Sequence, residues 1–260
     1  MTKRNTQQRR HSIVGYVNEH QQVSVEELAQ HHATSEVTIR KDLAVLEKSG
    51  LLLRRFGGAI AMPTELVKAD NSEQVSKRKL AISKTAASLI KDHNRIIIDS
   101  GSTTAGMLRE LGTKHGLVVM TNSLNVANAI NEQENEVTLL MTGGTWDPHS
   151  ESFQGQVAES VLRSYDFDQL YIGADGIDLE RGTTTFNELI GLSRVMAEVS
   201  RQVIVMVESD KIGRRIPNLE LAFSQIHTLV TDSGITEEDK LKIEQQGVQV
   251  ICAPDTQIQE

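Results

Sequence analysis

The chain has 260 residues, 38% of them hydrophobic and 24% charged, with a net charge of −8 at pH 7 and one cysteine. That length suits one small domain and one of roughly two hundred residues, and a lone cysteine excludes an intrachain disulfide or a cysteine metal cluster. No apolar run approaches the ~20 residues of a membrane span, and Met1 to His11 lacks the apolar core of a secretory signal, so a reducing cytoplasm is the expected compartment.

The charge is unevenly spread. Residues 1–60 hold nine Lys/Arg against six Asp/Glu, a local +3, while the remainder carries −11. Phosphate binding needs local positive charge, not a basic whole protein.

Gln7 to Asn18 reads as a first helix with Ile13, Val14 and Val17 turned inward. Arg9 and Arg10 near its start read equally as phosphate contacts or as solvated charges. Val23-Ser24-Val25-Glu26-Glu27-Leu28 carries a capping box from Ser24 to Glu27 and a hydrophobic staple from Val23 to Leu28, so a second helix runs to about His31. After the turn His32 to Thr34, Ser35 is an N-cap and Glu36 suits the positive end of a helix dipole. Ile39, Leu43 and Leu46 mark one buried stripe, which leaves Thr38, Arg40 and Lys41 on other faces. Gly50 is expected to end this helix. Leu51 to Leu53 and Ala59 to Ala61 flank Arg54, Arg55 and a Gly57-Gly58 turn, as in a short hairpin.

Two helices joined by so short a turn, the second with basic residues outward, read as helix-turn-helix with the hairpin as its wing. Such a helix fits the DNA major groove. The plainer reading is a small helical domain with an ordinary charged surface.

Met62 to Lys79 loses periodicity and is polar, as a linker is, and passes into a helix from about Ser76 to Lys91. The boundaries expected are a DNA-binding domain over 1–61, a linker over 62–78 and a second domain over 79–260. From Arg95 the pattern alternates. Arg95–Asp99, Leu117–Met120, Val137–Met141, Gln169–Gly173, Val203–Val207, His227–Thr231 and Val248–Cys252 read as strands. Thr103–Leu111, Leu124–Asn131 and Leu189–Ser200 read as helices between them. This rhythm predicts an α/β, doubly wound, mainly parallel sheet. Cys252 falls in an apolar run and is expected in the core.

In such folds ligands sit at the C-terminal ends of strands. The loop Asp99-Ser100-Gly101-Ser102-Thr103-Thr104 follows a strand and opens a helix, and its hydroxyls and free N–H groups suit a phosphate. Thr121-Asn122 and Gly143-Gly144 follow two further strands. Any one of these reads as an ordinary polar turn, but three in series favour a ligand. Asp175 closes another strand, Glu188 sits in a Thr-rich loop, and Lys211 follows a fifth strand. Carboxylates accept hydrogen bonds from sugar hydroxyls and lysine pairs with phosphate. The ensemble points to a small, anionic, polyhydroxylated ligand.

The string SEVTIRKDLAVLEKSGLLLRRFGGA resembles the N-terminal signature of DeoR-type bacterial transcriptional regulators. IIIDSGSTT, MTNSLNVANAI, LMTGG, FDQLYIGADGID, GTTTFNE and ESDKIG resemble that family's sensor domain, which is similar in fold to ribose-5-phosphate isomerase and glucosamine-6-phosphate deaminase. LERGTTTFNE and NSLNVANA resemble in particular its glucitol and N-acetylgalactosamine operon repressors.

The resemblance implies a repressor of a carbohydrate-catabolism operon that binds double-stranded operator DNA and is released by a phosphorylated sugar or sugar alcohol. The DNA contacts expected are Ser35, Thr38, Arg40, Lys41, Arg54 and Arg55. The effector contacts expected are Asp99, Ser100, Gly101, Ser102, Thr103, Thr104, Thr121, Asn122, Gly143, Gly144, Asp175, Glu188 and Lys211. A homodimer or homotetramer is expected, because a second symmetric contact multiplies affinity for a repeated operator. No catalytic residue, metal, cofactor or membrane is implied. The alternative is a sugar-phosphate isomerase or deaminase with an appended N-terminal domain, since fold does not fix function. Gly176 after Asp175 thins the acid chemistry such an enzyme needs.

Overall fold

The computed structural model describes residues 3–20, 22–48, 52–55, 57–61, 77–133, 137–148, 150–187 and 189–254. The chain divides into two compact units, Met1–Glu73 and Gln74–Glu260. Gly50 and nearly all of the segment read as a linker lie outside the described residues.

In the first unit α1 (Lys3–His20) is followed by β1 (Gln22–Ser24), α2 (Val25–His31), α3 (Glu36–Lys48), β2 (Leu52–Arg55) and β3 (Gly58–Ala61). The capping box forms as its spacing requires: Glu27 N–H donates to Ser24 Oγ at 3.1 Å and Ser24 N–H to Glu27 Oε2 at 2.7 Å. Residues 22–24 also form a strand that pairs antiparallel with β3. The wing is therefore a three-stranded sheet in the order β1-β3-β2. Gly58 is required there, because any Cβ would run into the Val23 carbonyl. Ile13, Val17, Val23, Leu28, Ile39, Leu43 and Leu46 share one core.

The second unit opens with α4 (Lys77–Ala87). Its central sheet is built from β4 (Arg95–Ile98), β5 (Val118–Thr121), β6 (Thr138–Met141), β9 (Phe167–Gly173), β12 (Ser200–Met206), β14 (Thr228–Thr231) and β15 (Gln249–Cys252). Every pairing in it is parallel, in the order β15-β14-β12-β9-β4-β5-β6. These strands are short apolar runs because a parallel sheet is covered on both faces. Ile97, Leu170 and Val205 pack on one face and Ile96, Tyr171 and Ile204 on the other.

The chain runs outward from β4 to β6, then returns to the other side of β4 and continues outward. The order therefore reverses between β4 and β9, which opens a crevice at the C-terminal ends of those strands.

Smaller elements frame that end. The hairpin of β7 (Thr145–Asp147) and β8 (Ser152–Gln154) follows β6, and β10 (Gly176–Asp178), β11 (Gly182–Thr185) and β13 (Asn218–Ala222) form a separate antiparallel sheet. Two expectations are corrected. The helix read over Thr103–Leu111 is one α-turn, Ser102–Ala105, followed by a 3-10 helix, Gly106–Thr113. Cys252 is exposed, because β15 is the sheet's edge and only Val250 of its strand is buried.

Candidate nucleic-acid interface and ligand crevice

On α3, Ile39, Leu43 and Leu46 are at most 4% exposed, and Arg40 and Lys41 are exposed on the other side. Ser35 caps the helix: its Oγ accepts from Thr38 N–H at 3.3 Å and lies 2.9 Å from Thr38 Oγ1. The Thr38 hydroxyl is thus part of the cap. Arg40 Nη2 donates to Glu36 Oε2 at 2.8 Å, one turn back. In the wing, Arg54 N–H donates to Glu47 Oε1 at 3.2 Å, which ties the hairpin to α3. The Arg55 side chain lies outside the described residues.

Arg9 and Arg10 have a structural task. Both donate through Nε to the buried Asp42, at 2.7 and 2.8 Å. They anchor α1 to the inner face of α3, and neither is a simply solvated charge.

At the crevice, Asp99 follows β4 and its N–H donates to the Tyr171 carbonyl of β9 at 3.0 Å. Asn122 Nδ2 donates to Asp99 Oδ1 at 2.8 Å, and Ser100 N–H donates to Asn122 Oδ1 at 3.1 Å. Burial pushes the Asp99 carboxyl up to about 6 against these bonds. Gly101 sits at φ 149, a conformation glycine permits. Its neighbour Thr104 donates to the carbonyls of Asp99 and Gly101 at 2.8 and 2.9 Å.

Three residues expected at the ligand also brace the loops. Thr104, Thr121 and Asn122 are buried, and their polar groups satisfy backbone or side-chain groups that the turns leave open. Ser100 and Thr103 are half-buried, and Gly101 and Ser102 are exposed. Gly143 and Gly144 take φ of 61 and 112 in the turn from β6 to β7. They stand two strands from β4, at ~4.8 Å per strand. Both positive φ values favour glycine, and at Gly144 a Cβ would also run into the Gln154 carbonyl.

Asp175 follows β9. Its Oδ2 accepts from Thr185 Oγ1 at 2.7 Å and from Phe186 N–H at 3.1 Å. Lys211 Nζ donates to the Ala174 carbonyl at 3.1 Å, which brings a cation to the strand end that Asp175 follows. Glu188 lies outside the described residues. Asp178, the other acid of the GADGID stretch, is buried. Burial works to raise it, but bonds from Arg181 and Glu180 N–H and the charges of Arg181 and Arg215 hold it below the usual range.

Two family models match the chain: a DeoR-like helix-turn-helix domain over residues 9–65 and a DeoR C-terminal sensor domain over residues 74–233. The chain belongs to the DeoR family. A DeoR-family relative from Escherichia coli O157:H7, named for repression of the aga operon, is 38% identical over 95% of this chain and 93% of its own length. The regulator GlpR of Haloferax volcanii is 32% identical over 94% and 96%. Ribose 5-phosphate isomerase A of Neisseria gonorrhoeae aligns in structure with a TM-score of 0.39 and 14% identity, over 55% of this chain and 56% of that one. Family membership places the chain among DNA-binding transcriptional regulators, not isomerases. Among the described residues no helix is long and apolar enough to cross a membrane.

Two residues at the DeoR-type crevice escaped the sequence reading. Lys79, on α4, brings Nζ to 3.1 Å from Ser102 Oγ and to 4.0 Å from Glu208 Oε2. In the sequence it falls at the tail of a polar segment. Glu220, on β13, accepts from Ser193 Oγ at 2.7 Å. Burial, then the nearby Asp99 and Asp175, push its carboxyl up to about 8. Only the leucines flanking it in Asn218–Ala222 hinted at a strand.

Proposed function

We propose that this DeoR-family protein represses a carbohydrate-catabolism operon and is released from its operator by a phosphorylated sugar or sugar alcohol. The single observation carrying this reading is that one chain joins a capped helix-turn-helix to a polar crevice at a topological switch point. The relative named for repression of the aga operon supports the repressor role.

Ser35, Thr38, Arg40, Lys41, Arg54 and Arg55 form the DNA face, with the lysine and arginines supplying charge for phosphates. The loop Ser100–Thr103 takes the effector phosphate, with Lys79 and Lys211 adding charge. Asp175, Glu188 and Glu220 take sugar hydroxyls. The effector acts by binding the released state more tightly than the DNA-bound one, since it can shift the equilibrium only by that difference. The protein works as a homodimer or homotetramer in the cytoplasm.

The test is a gel shift with DNA selected by the protein, titrated with hexose 6-phosphates, pentose 5-phosphates, hexitol phosphates and inorganic phosphate. One phosphorylated sugar or polyol should release DNA where inorganic phosphate does not. No release by any of them would reject the effector assignment.

A further inference from the structure

The face of α3 that carries Arg40 and Lys41 also carries an apolar side chain. Val37 is 60% exposed, whereas Ile39, Leu43 and Leu46 of the same helix are at most 4% exposed. It precedes Lys41 by one turn, so the two share a face. A β-branched residue is a poor choice at an exposed helical position, where Glu, Lys or Arg extend the helix better. A scattered surface valine needs no explanation, but this one occupies the second position of the recognition helix. The N-terminal residues of that helix reach base edges in the major groove. Glu36 and Arg40 bond to each other beside it at 2.8 Å, so the apolar spot has polar neighbours on its own helix.

Thymine presents a C5-methyl group in the major groove, and apolar side chains contact it. We propose that Val37 reads a thymine methyl in each half-site of the operator. Lys41 and the phosphates give affinity that any sequence shares, whereas the Val37 contact gives selectivity at one base pair. The inference rests on the DNA-binding reading and deepens it.

The experiment begins with a duplex selected from a random pool by the full-length protein. Each thymine is replaced in turn by deoxyuridine, which pairs identically but lacks the methyl, and affinity is measured for wild type, Val37→Ala and Val37→Thr. At one thymine per half-site, wild type should lose about fourfold, the worth of one buried methyl. Val37→Ala should bind the thymine and deoxyuridine duplexes equally, and Val37→Thr, which keeps one methyl, should fall between. Because Val37 is exposed, neither substitution should lower the melting temperature, and Val37→Ala, the better helix former, should raise it slightly. Equal losses in wild type and Val37→Ala at every thymine, or no sensitive thymine, would overturn the Val37 assignment alone. If no duplex is enriched, the DNA-binding reading falls and this inference with it.

Discussion

Lys79 Nζ lies 3.1 Å from Ser102 Oγ, so the helix that opens the sensor unit places a cation on the loop after the first strand. The lysine side chain is only 17% exposed, and Glu208, 8% exposed at its side chain, faces it. A phosphate on the Ser100–Thr103 loop would gain a charge-assisted hydrogen bond there. Lys79→Met keeps the apolar stem and removes the charge. Effector affinity should fall at least about tenfold, as loss of a bond to a charged group worth ~1.5–3 kcal/mol implies. Operator affinity without effector should stay within about twofold. Normal effector affinity by calorimetry would place the phosphate elsewhere.

Asp42 is the keystone of the DNA-binding unit. Its side chain is 3% exposed and takes Arg9 at 2.7 Å and Arg10 at 2.8 Å. Removing one partner of a buried pair leaves the others desolvated and unmatched. Asp42→Ala should therefore destabilise this unit by about 3 kcal/mol. Arg10→Ala, at a side chain 31% exposed, should cost about 1 kcal/mol. Denaturant unfolding followed by circular dichroism would resolve the two, and equal midpoints for Asp42→Ala and wild type would reject the anchoring role.

Much of the fold was legible because its signals are local. The capping box at Ser24 and Glu27 and the stripe Ile39–Leu43–Leu46 are fixed by spacing alone, and each strand of the parallel sheet is a short apolar run. Glu220 and Lys79 were illegible because only tertiary packing brings them to the crevice. Asn218–Ala222 is a short strand in a small sheet, and a glutamate there looks like surface. Arg9 and Arg10 failed similarly: nothing near them in sequence reveals that Asp42, more than thirty residues on, is buried against them. Thr104, Thr121 and Asn122 were recognised as strand-end polar residues, but sequence does not tell whether such a group faces a ligand or satisfies its own loop.

Substitution at Asp175 should separate effector binding from DNA binding. One oxygen holds the Thr185 hydroxyl and Phe186 N–H. In Asp175→Asn the amide oxygen can keep that task, so the turn persists while the charge offered to a sugar hydroxyl is lost. Bonds to charged acceptors are roughly twice as strong as neutral ones, so effector affinity should fall about tenfold. Operator affinity should not change, and in cells the variant should repress but fail to induce. If Asp175→Asn binds effector normally and still releases DNA, this loop is structural.

The pH dependence of the sensor unit should report Glu220. Its carboxyl is pushed from an ordinary value near 4.5 to about 8, first by burial and then by Asp99 and Asp175. Between those values the folded state holds a proton that the unfolded chain has lost. Stability therefore falls as pH rises from about 4.5 to about 8 and then levels off. Asp99, raised to about 6 by burial, adds to the fall in the lower part of that window. Glu220→Gln mimics the protonated acid and can still accept from Ser193 Oγ. Its sensor unit should lose less melting temperature than wild type between pH 6 and pH 8.5. The same substitution should flatten effector binding. Above about pH 8 an ionised Glu220 adds a third negative charge beside an anionic ligand, whose phosphate, with a second pKa near 6, no longer titrates there. Wild-type affinity should then weaken with rising pH while that of Glu220→Gln holds. Parallel pH profiles for the two proteins, in melting and in binding alike, would show that Glu220 carries no proton at neutral pH and does not face the ligand.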